Sequence, residues 1–394
     1  MKKTIAVAGV ATAALLAVGA AVLGFPAPAG AAATVIVRPG RSIQAAVAAA
    51  APGDTIVVEP GRYAGAGVAC PANPAQTCGV AIAKDGISLI GLSHGSHRVV
   101  LMNPGGQDVG IQVAKTGDPA CLSDPAQRVQ DSLVRGFTVS GFARDGVDVV
   151  CADHWRVTGV RAVGDAVYGI FPVLSGPGRV DHSLASGAND TGIYVGQSHN
   201  VRADHNLVTG NVTGFEIENS SAVRVDHNEA TGNTAGILSF TLPFLAVTSN
   251  SGNRIDHNLV IGNNKPNTCP PGDDVCQVPP GSGIGVAAAD HNQIDHNTVR
   301  GNNTFGILVV NLCNAFHLTP AQCAALGIDP NADGNRITAN TVTGNGGSPD
   351  PGIAPLPGPT CCGTAPGPGT AGNTTPRSPP SPPGSQVAGD HPAS

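Results

Sequence analysis

The chain has 394 residues, with 27 acidic side chains against 21 basic ones, a net charge of −6 and no basic run, a balance that argues against nucleic acid as a partner. Glycine supplies 53 residues and aromatics only 3% of the sequence, which excludes a core built on large rings and favours a narrow one of Val, Ile and Ala broken by many corners.

Lys2 and Lys3 precede an apolar run from Ile5 to Gly24, and small residues follow, with Ala-x-Ala sites ending at Ala29, Ala31 or Ala33. This pattern predicts a secretory signal peptide over 1–33. No second apolar stretch of that length follows. The mature protein is therefore expected to be secreted or at the cell surface, monomeric and without an integral membrane span. The ten cysteines suit export: Cys70 with Cys78, Cys269 with Cys276, Cys313 with Cys323, and the neighbours Cys361 and Cys362 lie close in sequence, whereas Cys121 and Cys151 are positioned to meet on adjacent coils. None has the Cys-x-x-Cys spacing of a structural metal site.

The Ala-rich piece Ser42–Ala50 reads as a short helix with Ser42 as its N-cap, placed to cover the first strand edges; the strand Thr55–Glu59 and the turn Pro60-Gly61 follow. Farther on, one phrase recurs. RVDHSLASGANDTGIYVG, RADHNLVTGNVTGFEIE and RVDHNEATGNTAGILSF place their aspartates at Asp181, Asp204 and Asp226, a period of 23 and then 22 residues. Copies at Asp256 and Asp295 and a worn one ending in Asn340 complete the series. The unit is too short for two helices. It alternates instead, with Val201, Ala203, Ile193 and Val195 on one face and Arg202 and Tyr194 on the other, and it breaks at Gly or Asn. One phrase is thus one turn of a parallel β-helix, with coils ~4.8 Å apart and equivalent residues in columns. Asn206, Asn228, Asn258, Asn297 and Asn340 form an inward amide ladder on this reading.

The helix, the Pro-Gly-Asp at 52–54, the apolar strand and the Pro-Gly-Arg-Tyr at 60–63 resemble the opening of right-handed parallel β-helix proteins of the pectate-lyase-like superfamily. The later phrases resemble that superfamily's generic repeat. The fold expected from the resemblance is an all-β, right-handed, single-stranded parallel β-helix over 34–345 with a short N-terminal capping helix. Insertions at Lys115–Gln130, Asn264–Pro280 and Asn311–Asn335 are expected to project from one side and wall a groove. Residues 346–394, rich in Pro, Gly, Ser and Thr, read as a disordered tail.

Aligning the phrases on the Gly before each strand puts Asp148, Phe171, Tyr194, Glu216 and Leu238 in one outward column. Val150, Val173, Gly196, Glu218 and Phe240 form the next, with Gln197 and Asn219 beside it. Rings for stacking, together with carboxylates and amides for hydroxyls, are what a sugar site needs. Glu216 and Glu218, ~7 Å apart along one strand face, have the spacing of an acid and base pair, and a neighbouring like charge raises a carboxyl pKa as a general acid requires. Tyr168-Gly-Ile-Phe-Pro-Val resembles the Tyr-Gly-x-Asp-Pro-His stretch of alginate epimerases. Tyr168 stands at the catalytic Tyr, while Phe171 replaces the Asp and Val173 the His; Arg144 or Arg202 is available to neutralise charge. The polygalacturonase signatures are absent as a set. Pectate lyases need a calcium cluster, for which Asp148, Asp190 and Glu216 are the carboxylates at hand, so calcium stays open as a cofactor.

The candidate site is therefore catalytic Tyr168, Glu216 and Glu218, with substrate-binding Asp148, Phe171, Asp190, Tyr194, Gln197 and Asn219 and no metal ligand assigned. His182, His205, His227, His257 and His296 stack in a column that is either a transition-metal ladder or a set of duplicated corner residues bonded to backbone; the duplication favours the corners. His154 in Asp153-His154-Trp155 reads as a similar corner one coil earlier. The expected function is a secreted carbohydrate-active protein that binds a polysaccharide and modifies it by lyase, epimerase or hydrolase chemistry. The alternative is a non-catalytic surface module for adhesion or display.

Overall fold

The computed structural model describes residues 32–351, residue 353 and, as backbone only, 386–388. Nearly all of the signal segment read over 1–33, most of the tail read over 346–394, and Cys361 and Cys362 lie outside the described residues. No helix among the described residues is long and apolar enough to cross a membrane.

Each phrase folds into three short strands, one for each of three sheets. The first sheet has eleven strands, from Thr34–Val37 to Arg336–Thr338, and the second has ten, from Gly61–Ala64 to Thr341–Thr343. The third sheet runs in parallel from Thr77–Ile82 to Phe305–Val310 and carries an antiparallel strand at each end, Val68–Ala69 and Gln386–Ala388. Coil pairs with coil throughout, which is the expected right-handed parallel β-helix.

The alternation read from the sequence sets the core. Leu89, Val134, Val157, Val180, Ala203, Val225, Ile255 and Ile294 pair coil on coil into one fully buried inward column. Each buried Val, Ile or Leu contributes about 1.5–3 kcal/mol, so the core gains stability coil by coil. A helix at Ile43–Ala49 begins where Ser42 accepts a hydrogen bond from the Ala45 amide, and it buries Ile43 and Val47 against the first coils. At its other end the Lys84 ammonium donates to the Ala48 and Ala50 carbonyls, which the helix itself leaves free.

The asparagine ladder forms as expected. Asn228 Oδ1 accepts from both the amide and the side chain of Asn206, and Asn228 Nδ2 donates to Ala203 O and Asn258 Oδ1. Asn258, Asn297 and Asn340 repeat the arrangement. A second ladder, from the Gly-Asn step of each phrase, joins Asn211, Asn233, Asn263, Asn302 and Asn345 at the next corner. Disulfides join Cys70–Cys78, Cys121–Cys151, Cys269–Cys276 and Cys313–Cys323, the pairs expected from spacing.

Candidate active site

The two columns read from the sequence are adjacent in the third sheet. Asp148 pairs with Phe171, Tyr194 with Glu216 and Glu216 with Leu238; Val150, Val173, Gly196, Glu218 and Phe240 pair in series. They face away from the coil interior, yet they are covered. Tyr194 is 4% exposed, Glu216 5% and Glu218 9%, where an open strand face would leave them wet. Two of the expected insertions build the cover: the disulfide-closed loop over 264–281 supplies Gly272, Asp273, Asp274 and Val275, and the helix Leu312–Ala315 supplies its own ends. The Lys115–Gln130 insertion does not line this cleft. A fourth wall, the bend over 241–249, has no periodic signal and was not legible in the sequence. The result is a cleft of about 530 Å³.

Arg144, Tyr168, Asp190, Glu216 and Glu218 line one end of the cleft. Tyr168 and Phe171 stack at 4.4 Å, and Phe171 stacks on Tyr194 at 4.7 Å, so the three scarce rings form one cluster. Gly196 has no side chain to obstruct the Tyr194 ring, which folds over it and brings its hydroxyl against Glu218. Of the rings, Tyr168 is the one that lines the cleft; Tyr194 lies beneath it as support and is not the open platform expected for a sugar.

Other expected ligand contacts are spent elsewhere. Asn219 donates to the Leu242 and Val247 carbonyls and accepts from the Leu242 amide, and Gln197 accepts from the Ala246 amide, so both amides tie down the 241–249 bend. Asp148 is buried below the cleft, where Gln112 Nε2 donates to it at 3.1 Å. Arg202 belongs to the first sheet and is bound to Asp226, which leaves Arg144 as the cation in the cleft lining, 3.7 Å from Asp145.

Burial dominates the electrostatics. It pushes Glu216 well above the usual carboxylate range, with Asp190 and Glu218 adding repulsion. Glu218 is pushed up to about 7 by burial against the pull of the Tyr194 hydroxyl. Asp190 rises to about 6 by burial, opposed by the Thr191 and Tyr168 hydroxyls. Below the cleft, burial lifts Asp145 to about 7 and Asp165 to about 8. Tyr168 is raised by burial and by Asp190, which favours the protonated, donating form of its phenol. The cleft thus gathers three carboxyls raised by burial: Glu216 well above the usual range, Glu218 to about 7 and Asp190 to about 6.

On the first sheet the histidine column also forms. His182, His205, His227, His257 and His296 stack with ring centroids 4.9–5.3 Å apart and planes within 5°. Each sits in the left-handed region, at φ 50–55°. Contrary to the expected backbone bond, each ring Nδ1 pairs with the preceding aspartate at 2.8–3.0 Å. The same aspartates take a two-pronged bond from an arginine one coil back, as in Arg179–Asp204. His154 stands apart from this column, since Thr158 is the partner of Asp181.

The match of residues 95–355 to a family model described as periplasmic copper-binding protein (NosD) covers most of these coils. The chain belongs to the NosD family. No curated protein matches it in sequence. Among solved structures, the A-module of mannuronan C-5 epimerase AlgE4 from Azotobacter vinelandii is similar with a TM-score of 0.56, at 19% identity over 78% of this chain and 84% of that one. The AlgE6 A-module from the same organism has a TM-score of 0.55, at 18% identity over 77% and 72%. Pectate lyase Pel9A covers 92% of this chain and 96% of its own, at 14% identity and a TM-score of 0.47. For the two A-modules, at these identities, the likeness is one of fold.

The copper in the family's description prompts a test of the donors present. Among the described residues no three His, Cys, Asp or Glu side chains converge on a point that would hold a metal ion. The stacked imidazoles run parallel, so their Nε2 lone pairs lie side by side instead of meeting, and the eight described cysteines are in disulfides. This donor set does not fit a chelated copper ion, nor do the cleft carboxyls fit a calcium cage. EDTA is accordingly expected to leave the melting temperature within about 1 °C, because no donor cluster among the described residues would tie the fold to a metal. A chelator-induced drop of several degrees, reversed by added metal, would overturn this reading of the donor set.

Proposed function

We propose that this NosD-family chain binds an extended carbohydrate in the third-sheet cleft and cleaves or rearranges it by acid–base chemistry. Glu216 is the proton donor, Glu218 and Asp190 are the candidate bases, and Tyr168 donates to a ring or glycosidic oxygen. The observation that carries the proposal is the buried Glu216, its pKa raised by burial, one coil from Asp190 and two residues from Glu218 in a cleft lined by Tyr168. Two carboxyls pushed apart in protonation are what glycoside cleavage requires. Asp190, Glu218, Asp273 and Asp274 line the cleft together with a single cation among the described residues, Arg144, so a neutral or amino sugar suits it better than a polyuronate. The A-modules are those of mannuronan C-5 epimerases; here the acidic lining and the Phe171 and Val173 replacements favour a different sugar. Four disulfides and a family described as periplasmic are consistent with work outside the cytoplasm.

A panel of neutral, amino and uronate polysaccharides, read for both binding and product, tests the proposal. Glu216→Gln is expected to lower turnover by about 10²-fold or more while binding is kept, because the amide preserves shape but donates no proton to a leaving group. Tyr168→Phe should lower turnover by about tenfold through loss of one donor. If the parent binds no polymer and forms no product, the non-catalytic display module replaces this reading. If it binds and turns over, but Glu216→Gln matches it, the acid lies elsewhere.

A further inference from the structure

The cleft does not end at the acids. Along one outward column the pairing runs Glu216, Leu238, Gly285, Leu308; along the next it runs Glu218, Phe240, Ala287, Val310. The surface therefore changes from carboxyl to hydrocarbon in a single coil step, within one continuous cavity. Gly285 and Ala287 keep the floor low between the Leu238 and Leu308 coils; Leu238 leans over Gly285, its Cδ2 2.9 Å from where a Cβ would stand, so a larger side chain there has to push into the cavity. Val275, Val278 and Leu242 line it from the cover. At the far end Ile353 packs on Phe305, Leu308 and Val310 and closes the trough. Its length is then about two coil spacings, ~10 Å.

Resting on the carbohydrate reading of the acidic end, we propose that the trough seats an alkyl or acyl group carried by the bound sugar, so that the ligand is an amphipathic glycan. A bare polysaccharide would leave this hydrocarbon surface wet, whereas an acyl chain of about six to eight carbons removes it from water. Polar and apolar ends at a fixed separation also select ligands by where the substituent sits on the sugar.

Titration of the full chain with the fluorescent apolar probe N-phenyl-1-naphthylamine tests the trough directly. The parent is expected to bind the probe and to release it to octyl β-D-glucoside but not to methyl β-D-glucoside. Gly285→Leu, which fills the trough with a side chain, should weaken probe binding at least tenfold at an unchanged circular dichroism spectrum. Ala287→Leu provides the same test one position away if the first variant folds poorly. No probe binding by the parent, or equal binding by the parent and both folded variants, would overturn the proposal. Probe binding that Gly285→Leu removes, in a chain that binds no polysaccharide, would overturn the carbohydrate reading while sustaining the apolar seat.

Discussion

Asn228→Ala is expected to lower the unfolding free energy by about 4 kcal/mol, a large share of what a folded domain has to spare. The asparagine makes four hydrogen bonds inside the coil stack. Alanine removes all of them, but the damage is uneven. Asn206 Nδ2 still donates to Val180 O, and Asn258 Oδ1 still accepts from the backbone amide at 228. The Asn206 amide and the Ala203 carbonyl lose the side-chain partner and lie where water does not reach, at ~1–3 kcal/mol each, and the missing amide leaves a small void. Asn340→Ala, at the half-exposed last rung, should cost about 1 kcal/mol, because water there replaces the lost partner. Glu229→Ala, on an exposed position of the next strand, should stay within about 0.5 kcal/mol. Urea unfolding midpoints measure the order. Equal losses for Asn228 and Asn340 would show that the ladder does not draw its strength from burial.

Stability is expected to be higher at pH 5 than at pH 8, by several kcal/mol spread over a coupled cluster. Asp145, Asp148, Asp165, Asp190, Glu216 and Glu218 all have folded-state pKa values raised by burial, to about 6–8 where a value is defined. The unfolded chain releases these protons near pH 4, so between about pH 4 and 8 the folded state holds more protons than the unfolded one. Unfolding free energy must then fall as pH rises through that window. The first-sheet aspartates have the opposite sign. Burial works against Asp181, yet the Arg156 and His182 bonds bring it down to about 2, and Asp204, Asp226 and Asp256 are lowered in the same way. Their contribution is present above the unfolded pKa, near pH 4, and is lost only as pH falls toward 2. Melting temperatures from pH 3 to 9 should peak near pH 4–5, and Glu216→Gln should flatten the alkaline side. A melting temperature that climbs from pH 5 to 8 would mean that the cluster is ionised and hydrated, and Glu216 would lose its role as proton donor.

The period of 22–23 residues carried more than a fold class. In a coil that repeats its own length, the residue one period away is the neighbour, so Tyr194 beside Glu216 and Gly196 beside Glu218 followed from counting. The amide ladder and the inward Val and Ile columns came from the same arithmetic, as did the histidine stack. Each of these depends on backbone register, which the alternation of apolar residues and the Gly and Asn corners specify locally.

What the repeat does not contain, it could not place. The bend over 241–249, the disulfide loop over 264–281 and the helix Leu312–Ala315 interrupt the period; the last two lie in insertions read as groove walls, but no sequence signal says which sheet they close over or that they bury its columns. That cover turns an outward column into a buried one, and burial in turn raises the pKa values of Glu216 and Tyr168. It also engages Gln197 Oε1 and the Asn219 amide in holding the 241–249 bend, and it leaves a hydrocarbon trough beyond the acids. Sequence by itself determined which side chains are neighbours along the axis, because register is a local, repeated property. Only the tertiary structure decided which of those neighbours lie out of reach of water, because desolvation depends on segments far away in the chain.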